Sequence, residues 1–64
     1  MSFVQLDGED GDVYVNPHHV GMAKSAERNG VPVSILFIDV MPKGLIIKEP
    51  LKQVLEQLEA GMDF

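Results

Sequence analysis

The stretch that decides the fold is Asn29-Gly30-Val31-Pro32-Val33-Ser34-Ile35-Leu36-Phe37-Ile38-Asp39. Asn-Gly is the pair favoured by a two-residue type I′ turn, because both of its positions need positive φ. The residues after it are rich in β-branched and aromatic types, which predicts a strand entered through a hairpin. Alternation along that strand puts Val31, Val33, Ile35 and Phe37 on one face and Pro32, Ser34, Leu36 and Ile38 on the other. Pro32 has no N–H to give to a ladder and belongs at the strand entry or on an unpaired side. The second face turns apolar at Leu36 and Ile38, so it needs cover from a helix, another sheet or another chain.

Working outward, Met22-Ala23-Lys24-Ser25-Ala26-Glu27-Arg28 taken alone reads as helix or as strand; the Asn29-Gly30 turn favours an antiparallel strand over residues 22–28. Further upstream, Phe3, Val4 and Leu6, then Asp7-Gly8-Glu9-Asp10-Gly11-Asp12, then Val13-Tyr14-Val15 read as strand, turn, strand. Asn16-Pro17 offers a capping side chain before a residue with fixed φ, which predicts a short helical turn over about 17–20. Downstream, Val40-Met41-Pro42-Lys43-Gly44 reads as a turn and Leu45-Ile46-Ile47-Lys48 as the last strand. Pro50 suits a first helical turn, and Leu51, Val54, Leu55 and Leu58 recur at helical spacing. Lys52, Gln53, Glu56, Gln57 and Glu59 then form the solvated flank, and Gly61 is placed to end the helix in a left-handed conformation. Met62-Asp63-Phe64 forms a tail in which Phe64 can serve as an apolar anchor. The expectation is an α+β fold: a small antiparallel β-meander of four or five strands with one C-terminal amphipathic helix, forming a single domain over residues 1–64.

Composition narrows the function classes. The absence of Cys removes disulfide staples, thiolate-bound zinc and iron–sulfur clusters. The longest apolar run, Ile35-Leu36-Phe37-Ile38, falls far short of the roughly 20 residues that cross a bilayer, and no basic segment precedes an apolar signal core. No membrane insertion and a cytoplasmic location are expected. A formal net charge of −5 opposes direct nucleic-acid binding, which works by neutralising phosphates.

No motif carries catalytic or metal chemistry. Numbered from Asp7, the acidic segment puts Gly11 where a calcium loop needs an oxygen ligand, Asp12 where it needs Gly and His18 where it needs a bidentate Glu. His18 and His19 are adjacent, so on a helical turn they point about 100° apart instead of forming a helical zinc pair. Ser2, Ser25 and Ser34 lack any nucleophile motif around them, and no glycine-rich phosphate loop is present. The protein is therefore expected not to be an enzyme and to use no cofactor.

Val13-Tyr14-Val15-Asn16-Pro17-His18-His19-Val20, and Gly44-Leu45-Ile46-Ile47-Lys48-Glu49 leading to Val54, resemble the FlbD-like family of small flagellar and swarming-motility proteins. Gly11, Tyr14, Asn16, Lys48 and Glu49 match its pattern of a glycine-containing turn, an aromatic-x-hydrophobic-Asn step and a Lys-Glu strand end before a terminal helix. Pro50, the long 40–43 turn and the double histidine depart from it. The resemblance, which covers nearly the whole chain, implies a non-enzymatic accessory protein acting through protein contacts, with no catalytic residues to carry over.

One helix covers one sheet face, so the sequence predicts leftover apolar surface and either self-association or a stable partner. The leading expectation is a small non-enzymatic protein-interaction module that docks on itself or on a larger assembly, with Leu36, Ile38 and Tyr14 among its contacts. The alternative is a small acidic inhibitor, such as a phage-encoded one, that sets Asp7, Glu9, Asp10 and Asp12 against a basic nucleic-acid-binding surface of a host enzyme. A third reading is a virion or appendage structural subunit.

Overall fold

Two tight turns organise the backbone into hairpins. The computed structural model describes residues 3–39, 41 and 43–62. Of the features read from the sequence, Met1, Ser2, Val40, Pro42, Asp63 and the Phe64 anchor lie outside the described residues. Strands β1 (Val4–Gly8) and β2 (Gly11–Val15) form the first hairpin, and β3 (Val20–Arg28) and β4 (Val31–Ile38) the second. Asn29 and Gly30 have φ of 54° and 78°, the two positive values that a type I′ turn requires. Residues 22–28 are strand, as the turn chemistry indicated, and pairing runs from Val20 opposite Ile38 to Arg28 opposite Val31.

Between the hairpins, Asn16 caps a single 3-10 turn, Pro17–His19, by accepting the His18 N–H on its side-chain oxygen at 3.0 Å. The last strand, β5 (Leu45–Ile47), precedes the helix α1 (Leu51–Gly61). The sheet is antiparallel with order β2-β1-β5-β4-β3, so the two hairpins meet through β5 instead of through β2 and β3. Pro32 is accommodated because β5 pairs with β4 only from Ser34 to Leu36, leaving nothing opposite Pro32 on that side.

The helix lies across one sheet face. Val54 and Leu58 enter a cluster with Val4, Leu6, Val15, Leu36 and Ile47, so the four-residue apolar stripe divides: Val54 and Leu58 are core, while Leu55 stays 42% exposed. Gly61 is the last helical residue and does not take a left-handed conformation. Its role is steric, because a β-carbon there would collide with the Val4 side chain. Among the described residues, no helix is long and apolar enough to cross a membrane.

The joint between β5 and α1 is polar. Glu9 N–H donates to the Ile46 carbonyl (3.1 Å) and Lys48 N–H to the Asp7 carbonyl (2.7 Å), which ties β5 to β1. In a continued ladder the Asp7 N–H would meet the Lys48 carbonyl. The chain instead turns away at Glu49-Pro50, and Glu49 Oε2 accepts that N–H at 2.9 Å. Glu49 Oε1 accepts from Gln53 Nε2 and Gln57 Nε2, each at 2.7 Å, and the fully buried Ser34 hydroxyl donates to the Glu49 carbonyl at 2.7 Å. Gln53 stays exposed and Gln57 half-buried, and from the helix flank both amides reach the buried Glu49 carboxylate.

All three groups on the Glu49 carboxylate are donors. Glu49→Gln would set an NH2 against one of them, and Glu49→Ala would leave all three without their acceptor. Each variant is expected to lose about 1–3 kcal/mol of stability, measured as a lowered midpoint in urea unfolding with an unchanged slope.

Candidate functional site: the second sheet face

The cross-strand register assigns every side chain to a face. Leu36 and Ile38 point to the helix side; Leu36 is fully buried at the centre of the core and Ile38 packs partly buried against it. Of the expected partner contacts Leu36 and Ile38, Leu36 is corrected to core, because the helix is the cover that its face takes within the chain, and Ile38 packs against that core. The face left without a helix is the opposite one. On β4 it carries Val31, Val33, Ile35 and Phe37, across from Arg28, Ala26, Lys24 and Met22 on β3 and, at Ile35, from Ile46 on β5.

This second face has an apolar cluster of its own. Val33 is buried yet stands apart from the helix-side core. A β-carbon at Gly44 would run into Ile35 and touch the Phe37 ring, so the absence of a side chain at Gly44 gives Phe37 its seat. Val31 and Met22, at the two ends of the strip, remain 55% and 52% exposed. Tyr14 shares this side on β2 opposite Gln5 and is exposed.

An open groove of about 390 Å³ runs across the turn end of this face, floored by Val31, Val33 and Ile46. Its rim is charged but balanced. Glu9 ion-pairs with Arg28, linking the tips of the two hairpins, and Lys48 Nζ lies 3.9 Å from Asp7 Oδ1. These side chains are largely solvated, where such pairs add little stability. Their effect is to cancel charge around an apolar floor, the arrangement of apolar centre and polar rim found at protein interfaces.

The acidic hairpin is accordingly less free than its sequence suggests. Asp7 and Glu9 face Lys48 and Arg28, and Asp12 Oδ2 accepts from Gln5 Nε2 at 2.9 Å. Asp10, at the turn, has no such side-chain partner among the described residues. His18 and His19 are exposed, with His19 Nδ1 3.8 Å from Asp39 Oδ2. Among the described residues, no group of three or more His, Asp or Glu side chains is placed to hold a metal ion.

The sequence placed Val31, Val33, Ile35 and Phe37 together on one strand face but did not say which face the helix would take. Leu36→Ala should cost about 2–5 kcal/mol, because it empties a fully buried site. Val31→Ser, on the second face, should change stability by less than about 1 kcal/mol. Thermal unfolding of the two variants side by side measures this asymmetry between the faces.

Comparison of the chain with protein-family models, curated proteins and solved structures gives no match, so the functional reading rests on its own geometry.

Proposed function

We propose that the protein is a small non-enzymatic interaction module that docks through the second face of its sheet onto a protein surface within a larger assembly. The observation that carries this reading is the mismatch between two apolar sheet faces and one helix. Helix α1 covers Leu36 and Ile47, while Val31, Val33, Ile35, Phe37 and Ile46 line a face over which, among the described residues, no helix or strand is laid. Exposed apolar patches of this kind usually mark contact sites. The charge-paired rim of Asp7, Lys48, Glu9 and Arg28 supports the same reading, since it offers a partner an apolar centre without a strong net field. Tyr14, exposed on the same side, is placed to join the contact. An accessory role through protein contacts is also what the resemblance to the FlbD-like motility proteins implies.

The inhibitor reading has less support. It needs a free acidic surface, and three of the four hairpin carboxylates already face a partner within the chain. Salt and mutation separate the two readings. Affinity capture from a lysate of the source cells with the wild-type chain, with Val31→Asp and with Asp10→Asn/Asp12→Asn is the test. A partner retained in high salt by the wild type and by the acidic-hairpin variant, but lost with Val31→Asp, is the expected result. A partner held only at low salt and lost with the Asp10/Asp12 variant would overturn it in favour of the inhibitor.

A further inference from the structure

The sheet is open, and its two edges are unequal. Strand β2 has five residues, whereas β3 has nine, and β3 contains no proline. Its one irregularity, between Val20 and Met22, lies at its start. The register fixes which backbone groups of β3 are unused. In a two-residue hairpin the residues flanking the turn exchange both of their hydrogen bonds, so Arg28 bonds with Val31, and the pattern alternates back through Ala26 and Lys24 to Met22. The N–H and C=O groups of Ala23, Ser25 and Glu27 therefore point away from β4, and among the described residues no strand lies beyond them. Long unpaired edges of this kind are templates for pairing with another chain.

We infer that the outer edge of β3 is a self-association surface on which a second copy of the same chain adds its own β3 antiparallel, in a two-fold register centred on Ser25. Charge selects this register. Centred on Lys24, the ladder would set Lys24 against its own copy; centred on Ala26, it would set Lys24 against Arg28; centred on Glu27, it would oppose two copies of Glu27. Centring on Ala23 would run the ladder into the irregularity at Val20/Met22. With Ser25 opposite Ser25, Ala23 meets Glu27, Lys24 meets Ala26 and Met22 meets Arg28, and no like charges stand directly opposite.

A second feature lies beside this edge. Between α1 and β3, a groove of about 320 Å³ is lined by Val20, Ala23, Leu55, Leu58 and Met62. Leu55, 42% exposed, lines this groove from the helix and the small Ala23 from β3. A second β3 would extend the sheet beneath Leu55 and bury apolar surface that one chain leaves uncovered. This edge is separate from the apolar second face, and the two are tested separately.

The test is the molar mass of the full chain by light scattering over a dilution series, together with backbone amide exchange. The expected mass is twice that of the 7.1 kDa chain, with the Ala23, Ser25 and Glu27 amides exchanging slowly. Ser25→Asp and Ser25→Lys each place like charges at the two-fold and should give the single-chain mass with those three amides fast, while Lys24 and Ala26 stay protected by β4. Mixing the two variants should restore the doubled mass. A wild type at single-chain mass throughout, or a doubled mass unaffected by either Ser25 variant, would overturn the proposal. The second of these outcomes would move self-association to another surface, and Val31→Asp then tests the apolar face. Doubled mass retained by Val31→Asp, with loss of the captured partner, would support both surfaces at once.

Discussion

Glu49 joins three parts of the molecule that are distant in sequence. Its carboxylate takes the Asp7 N–H of the first hairpin and the Gln53 and Gln57 amides of the helix, and its backbone carbonyl takes the Ser34 hydroxyl of the second hairpin. A buried charge is tolerated only where hydrogen bonds replace its lost hydration, and here they come from elements that share little other polar contact. The three residues of β5 are too few to hold two hairpins together alone. Glu49 continues the tie beyond the end of that strand and fixes where the helix begins. The placement of Val54 and Leu58 over Leu6, Leu36 and Ile47 follows from that starting point.

With the helix anchored at Glu49, the allocation of the two faces is settled. Residues of one parity on β4 go under the helix and those of the other parity form the second face. A slip of one residue would exchange the Leu36 set for the Ile35 set. Ser34 resists such a slip, because it is completely buried and its hydroxyl donates to the Glu49 carbonyl just before the helix. The second face is in this sense the complement of the core, set by the same register.

Much of the fold was legible in the sequence because local chemistry and tertiary structure agree. Asn29-Gly30 specifies its turn, the β-branched run after it specifies a strand, and the spacing of Leu51, Val54 and Leu58 specifies a helix. The parts that were not legible depend on distance in space. Nothing around Glu49 indicates that its carboxylate meets a backbone N–H forty-two residues away. Gly61 has the sequence position of a helix terminator, but its small size is required by Val4, a contact no local pattern reveals. Strand alternation makes Leu36 and Ile38 candidates for a partner's cover as much as for the helix's, because it gives two apolar faces without saying which one the helix selects. The second-face residues were therefore visible as a group while their exposure was not.

The strand order also constrains how the chain assembles over time. Each hairpin is local and can close as soon as its own residues are available, on the microsecond scale typical of such turns. Strand β5, by contrast, follows both hairpins along the chain and sits in the middle of the finished sheet. Until Leu45–Ile47 and Glu49 emerge, the two hairpins have no strand to join them, and both apolar faces of β4 are open to water. The joining of the hairpins, the start of the helix and the covering of the Leu36 face therefore fall together in one late step, set by the arrival of residues 45–49.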